Sequence, residues 1–501
     1  MRLCFTMGVL FVSGAACGDV IGVPGDFATI QAAIDSASDG DVIEIAPGTY
    51  HEVLDTKGLA IELRSTGSAA DTIIDAGPLP IDPTIGKAVI RCVSGEGRDT
   101  VIRGLTITGG TGEGASPTFG GGLYLGFGAP TVIDCVIVGN SADQGAGALV
   151  LGTIFESVLI DSCRFVNNHA SFVGGGIQAS GHNGTLEIRD SVFESNTAGD
   201  SGGGASLGLA DVNGSVFLGN SAAAGGGVVT SLSSVARFVR TRFLGNSATT
   251  TNPALGGGAA ANRGAPNLYF ESCAFSGNTS ASRGGAILLP PDGLVTLNAC
   301  TIAGNDAAQF AGALHSQGPV ELWATSCLVW DNSTGGVIGP ASDISGAFDA
   351  DSEIRYAILQ GAAAIPPEVS FSGIVTVIDP MFADPIGPDG VRGTLDDDLR
   401  LLPGSPAIDA GDSIVLPLGL LDAAGDLRGV DDPDTEDTGV PAFGVIVDLG
   451  AHEYQVSVDQ SADVTTTGAT LVGQPGFGVP DGTVDLDDLG FFLNLWLMGA
   501  P

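Results

Sequence analysis

Lysine is almost missing from this chain: Lys57 and Lys87 are the only two in 501 residues. With a formal net charge of −39, the sequence has no basic footprint for a nucleic-acid backbone or an anionic membrane surface. Apolar runs are short too. After Leu3–Val12 no stretch of 18 or more apolar residues occurs, so no membrane-spanning helix is expected. Aromatic residues make up only 6%, yet the mean hydropathy is +0.33. Small aliphatic side chains and the 78 glycines must therefore do the packing, as in thin layers that stack closely. The glycines follow no Gly-X-Y period, which excludes collagen. The cysteines show neither C-x-x-C nor Cys/His spacing, which argues against metal at those thiols. Neither H-E-x-x-H nor a phosphate-binding glycine loop is present.

What the chain does have is a repeat. Eight segments end in asparagine, at Asn140, Asn168, Asn196, Asn220, Asn246, Asn278, Asn305 and Asn332, and successive spacings are 28, 28, 24, 26, 32, 27 and 27 residues. Five positions before each Asn stands Cys, Ser or Thr, and three before it stands Phe, Ile or Val. Period-two alternation puts those two positions on one face of a strand. After most Asn come Ser/Thr-Ala and a glycine cluster such as Gly174–Gly176 or Gly284–Gly285. Units this short cannot bury a face alone and must stack. The expected fold is all-β, a right-handed parallel β-helix with one strand set per turn. Eight rungs spaced about 4.8 Å apart give a rod on the order of 40 Å long. Stacking places Cys135 beside Cys163, and Cys273, Cys300 and Cys327 in one column, close to disulfide range. A column of buried thiols and one or two bridges both remain open.

Upstream, Phe27–Ala37 reads as a short helix with Ile30, Ala33, Ile34 and Ala37 on one face. It would cover the open first rung, an edge that otherwise invites aggregation. Met1-Arg2, the apolar run Leu3–Val12 and Ser13–Ala16 read as a signal peptide over 1–18; Cys17 as a lipidated residue is the alternative. The β-helix is assigned to 19–340, an acidic covering region to 341–454 and a small C-terminal motif to 455–501. Between Asp343 and Tyr454 there are 22 acidic residues against four arginines.

The segment Phe27–Tyr50 resembles the helical cap and first rung of pectin-lyase-like proteins. The paired Gly-Gly-Ala-Ile and Phe-x-x-Asn elements resemble polymorphic outer-membrane-protein repeats, which belong to surface proteins. Together these resemblances cover about 27–340. They imply the fold strongly and the function weakly, since this fold serves lyases, hydrolases and adhesins alike. Asp379–Phe382, Leu399–Asp409 and Asp448–Tyr454 resemble a choice-of-anchor region, a match that implies no chemistry. The segment from Ala462 through Asn494 resembles a dockerin-type anchor.

Three groups of residues are candidates for function. In the C-terminal motif, an EF-hand-like loop needs hard oxygen ligands with glycine sixth for the turn. Gly482 in that place puts Asp481, Asp485 and Asp488 at ligand positions, but Phe477 and Val479 fall where ligands should stand. Taking Asp463 as the first ligand, with an expanded loop, restores the set and makes calcium the expected structural cofactor. Acids favoured at a helix N-terminus are the other reading. A second acidic loop, Asp389–Asp398, offers another place for structural calcium or a solvated turn. For catalysis, polysaccharide-cleaving β-helices need acids and a base converging on one outer face. Asp134, Arg164, Asp190 and Glu194 have outward parity on three successive rungs, with surface ion pairs as the plainer reading.

The outward positions also carry Val136, Val138, Val192, Val216, Leu218, Leu244, Leu328 and Trp330. Such an apolar stripe implies a cover: the 341–454 region, a partner or a polysaccharide. The favoured function is a secreted or cell-surface, non-catalytic protein for adhesion, structure or polysaccharide binding. A polysaccharide lyase or glycoside hydrolase acting on acidic polysaccharide is the alternative. The expected partners are a cell-surface component or a polysaccharide, with no nucleic acid.

Overall fold

The computed structural model describes residues 18–80, 87–114, 116–152, 156–230, 235–264, 267–289, 291–416, 421–442 and 444–455. The expected signal peptide and the C-terminal motif, with Asp463, Asp481, Asp485 and Asp488, lie outside the described residues. The fold is the expected right-handed parallel β-helix. One turn shows the plan. Strands Val158–Asp161, Arg164–Val166, His169–Val173 and Ile177–His182 follow one another around the axis. Each then pairs in parallel with its successor on the next turn, Val158 with Leu186 and Phe165 with Phe193. Among the described residues, the first two strands of each turn belong to one 24-stranded sheet, and the others to sheets of nine and eleven strands.

Three corners in this turn carry left-handed backbone, at Ser162 (φ 52°), Asn167 (φ 52°) and Gly174 (φ 70°). Turning the chain within one residue requires that conformation, which Gly, then Asn and Asp, tolerate best. The glycine cluster has a second cause in the stack itself. A Cβ on Gly176 would stand 2.4 Å from the Gly204 carbonyl oxygen and 2.9 Å from the Phe193 ring. The clusters are thus where the backbone must lie against the aromatic column.

Inside, like residues form ladders. Phe165, Phe193, Phe217, Phe243 and Phe275 stack at centroid separations of 4.9, 4.6, 5.1 and 4.9 Å. The asparagines form the polar counterpart. Asn168 Nδ2 donates to Asn196 Oδ1 (2.9 Å) and to the Ile137 carbonyl (2.9 Å), while the Asn168 backbone N–H donates to the same Asn196 oxygen (3.0 Å). Repeated from Asn140 to Asn332, this pattern satisfies fully buried amides rung by rung. The last rung ends on a carboxylate: Asn332 Nδ2 donates to Asp343 Oδ1 (3.3 Å). Of the two readings of the cysteines, the thiol column is what forms. Cys135, Cys163, Cys273, Cys300 and Cys327 are buried and unbridged, and burial pushes the Cys163, Cys300 and Cys327 thiols up, away from reactive thiolate.

Helix α1 (Ile30–Ser36) is present, with Ile30, Ala33 and Ile34 buried against the first turns. Thr29 Oγ1 accepts from the Ala32 N–H (3.2 Å), and Glu52 accepts from the Ile30 and Gln31 N–H groups (2.9 Å each). These are the free donors and positive dipole end of a helix start.

At the other end the recognisable repeat stops at Asn332, but the ladder does not. Glu353–Leu359 pairs in parallel with the preceding turn, and Ser370–Thr376 pairs with it in turn. The boundary at 340 therefore marks where the motif fades, not where parallel pairing ends. From Asp379 the chain doubles back as a flap over the outer face of the last turns. Leu328 and Trp330 pack with Ile358, Leu401, Ile408 and Leu449, and Ala274 and Ala303 pack with Leu399 and Ala451. For these turns, the intramolecular cover is the answer among the three open for the stripe.

Candidate functional site

The four outer-face candidates are not brought to one point. Arg164 and Glu194 stand on neighbouring strands and form an ion pair of 2.8 Å. Asp134 and Asp190 occupy the left-handed corner before each second strand, at φ 55° and 45°. Asp134 faces Arg103 at 3.6 Å, while Asp190 is exposed on its own turn. The same face carries Arg64–Glu44 (2.7 Å), Arg98–Glu187 (2.6 Å) and Arg237–Glu271 (3.0 Å). His169 faces Thr197 Oγ1 at 2.8 Å, within the wall rather than beside an acid. Two pentapeptides, Gly199–Gly203 and Gly204–Gly208, have the spacing of a nucleophilic serine turn. Ser201 and Ser206 are nevertheless buried in the wall, and no helix follows either.

A site that sequence reasoning missed lies where the flap meets the solenoid. A cleft of about 310 Å³ is lined by Arg242, Leu244 and Ala274 of the wall and by Thr394–Arg400, Ala424 and His452 of the flap. It gathers charged groups more than a hundred residues apart in sequence. Asp398 is paired with Arg400 (2.6 Å). Asp397 accepts from the Gly393 N–H (2.6 Å) and Ser276 Oγ (3.0 Å), and burial raises its pKa despite those bonds. The Asp396 carboxylate takes the Thr394 hydroxyl, and that bond lowers it. Arg242 is the exception: among the described residues no acid pairs with its guanidinium, and burial lowers its pKa. His452 Nδ1 lies 3.8 Å from Asp422. The second acidic loop thus forms one wall of this cleft, its acids engaged largely by its own turn. The one signal in the sequence was the outward parity of Arg242 among Val and Leu neighbours.

The flap is seated by a buried polar network. Arg428 meets Glu453 (3.4 Å), Ser272 Oγ (3.0 Å) and the Gly450 carbonyl (2.6 Å). Glu453 also accepts from the Gly429 and Val430 N–H groups (2.6 and 3.0 Å). Gly450, at φ 92°, donates to the Ser326 carbonyl (2.7 Å), and a Cβ there would stand 2.6 Å from both Leu328 and Thr301. Close docking of the flap needs a glycine at that point.

Among known proteins, the Chlamydia polymorphic membrane protein repeat matches residues 272–290, a span containing Cys273, Phe275, Asn278 and Gly284–Ile287. No curated protein sequence matches the chain. Among solved structures, pectate lyase Pel9A is 11% identical, with a TM-score of 0.38 over 87% of this chain and 96% of its own. A pectin methylesterase from carrot is 12% identical, with a TM-score of 0.26 over 67% of this chain and 89% of its own. A mannuronic-acid-specific polysaccharide family 6 lyase from human gut microbiota is 11% identical, with a TM-score of 0.32 over 71% and 87%. The chain is a right-handed parallel β-helix, and one of its repeats is similar to those of the polymorphic membrane proteins.

Proposed function

We propose that this is a secreted or cell-surface solenoid that binds a polysaccharide or another cell-surface component without cleaving it. One observation carries the reading. On the turns the flap does not reach, half-buried Val136, Val138, Val166, Val192 and Leu218 alternate with Arg and Glu already paired to each other. That is a half-buried apolar strip whose Arg164 and Glu194 charges are paired to each other. It suits an extended ligand laid across the rungs, whereas bond cleavage needs a free acid and base aimed at one atom. The repeat that matches 272–290 is named for a membrane protein, which fits a place at a cell surface. No helix among the described residues is long and apolar enough to cross a membrane.

The test is to incubate the full chain with acidic and neutral polysaccharides, with and without calcium, and to measure both retention and new unsaturated or reducing ends. Retention without new ends, weakened by Val166→Asp with Val192→Asp, is the expected result. Release of new ends overturns it. In that case the second reading, a polysaccharide lyase or glycoside hydrolase, belongs to the cleft. The unpaired Arg242 beside Asp396, Asp397 and His452 favours it there, and Arg242→Ala would abolish the release.

A further inference from the structure

The flap holds a second acidic cluster, away from the cleft. Asp409, Asp431 and Asp437 each bring a carboxylate oxygen within 4.8 Å of the others. Oxygens bound to one calcium at about 2.4 Å can lie no more than about 4.8 Å apart, so all three oxygens can reach a single ion.

Acids cluster on many surfaces without binding anything. Asp409 makes this one different. It is fully buried, its Oδ2 accepts from the Asp432 N–H (3.1 Å), and its Oδ1 has no hydrogen-bond partner among the described residues. A buried carboxylate oxygen without a partner leaves its desolvation cost uncompensated. Asp409 is also fixed in place. Its own N–H donates to Asp448 Oδ1 (2.8 Å), its carbonyl accepts from the Thr438 and Gly439 N–H groups (3.0 Å each), and its backbone is left-handed at φ 51°. Those two amides tie the exposed Asp431–Asp437 loop back over the buried carboxylate. No basic side chain pairs with any of the three acids among the described residues. Burial first, then the facing Asp431, Glu453 and Asp437 carboxylates, push Asp409 up to about 7.

We propose that Asp409, Asp431 and Asp437 bind a calcium ion that locks the flap's Asp431–Asp437 loop. Three carboxylates, hard oxygen ligands and an open outer side that admits water suit calcium, which takes six to eight oxygens in irregular geometry. Magnesium demands a near-ideal octahedron. The ion would give the orphaned Asp409 oxygen its partner and cancel the repulsion of three like charges.

The experiment uses the full chain stripped with EGTA, titrated with calcium chloride by calorimetry and melted with and without the ion. Asp431→Asn with Asp437→Asn, both exposed positions, should lose one bound calcium per chain and the calcium-dependent rise in Tm. Its Tm in EGTA should be unchanged or higher, because two repelling charges are gone. Asp481→Asn with Asp485→Asn, in the C-terminal motif, should keep that calcium and that rise. If the first double variant does not melt cooperatively, Asp437→Asn alone is read by the same criteria. The proposal is overturned if the wild type binds no calcium, or if the 431/437 variant keeps the same stoichiometry and the same rise. An equal or larger rise with magnesium overturns the choice of ion.

Discussion

The same outward positions of the repeat live in two environments. On the middle turns they read Val136, Arg164 and Val192, then Val138, Val166 and Glu194, and every one is half-buried or exposed. On the last turns they read Ala274, Thr301 and Leu328, then Ser276, Ala303 and Trp330, all buried except the half-buried Trp330. Inside, the two regions keep one buried apolar column, Ile137, Phe165 and Phe193 on the middle turns and Phe275, Ile302 and Val329 on the last. The difference is the flap. Where it docks, charged side chains give way to Ala, Leu and Thr, and small side chains let its backbone approach. Where it does not, arginines and glutamates pair across rungs and keep the face wet. One wall is thereby made into a core on one half and an open surface on the other.

That contrast can be broken at its seat. Arg428→Ala leaves Glu453 buried with its one cationic partner among the described residues gone. Loss of one member of a buried pair costs on the order of 3–5 kcal/mol, and limited proteolysis should then cut within 379–454 while the solenoid stays intact. A milder test compares the two halves directly. Leu328→Ala, under the flap, should cost about 2–5 kcal/mol by denaturant unfolding, whereas Val136→Ala, on the open half, should stay within about 0.5 kcal/mol. Equal costs at the two sites would mean that the flap does not cover the wall in solution.

The end of the asparagine ladder offers a pH test. Burial pushes Asp343 up to about 6, against the lowering effect of its bonds from Gly361 and Asn332. The folded protein therefore holds this proton more tightly than the unfolded chain does. Its contribution is complete below the unfolded value near 3.8 and is lost as pH rises through about 6. Asp343→Asn should remove that slope from the pH dependence of Tm; an unchanged slope would place the titrating group elsewhere. The smallest effect belongs to the open face. Arg164→Ala breaks an exposed pair with Glu194 and should change stability by about 0–1 kcal/mol, a value that a loss of several kcal/mol would contradict.

Much of this was legible in the sequence. Spacing placed the Phe and Asn ladders, the glycine corners and the cysteines of one column, because each rung repeats the last and a repeat writes its three-dimensional neighbour into the chain; apolar periodicity placed helix α1. The apolar outer stripe was legible too, as was its need for a cover. The turns outside the motif were not. Among the described residues, the larger of the two sheets with one strand per turn has eleven strands where the sequence marks eight Asn rungs, since any alternating strand of suitable length can join a parallel ladder. The outer-face candidates also misled in one respect. Parity put Asp134 and Asp190 outward beside Arg164 and Glu194; both acids sit at left-handed corners ahead of those strands, and Asp134 faces Arg103.

The cleft and the Asp409 cluster lay beyond any reading of the repeat. Arg242 and Asp397, 155 residues apart, line one cleft, and Asp409 meets Asp431 and Asp437 across a loop with no period. By itself the sequence determined the solenoid, because each layer needs only its neighbour to bury its face. Only the tertiary structure decided which turns are covered and which acids are left without partners, because the flap is a single copy with no second unit to reveal its register.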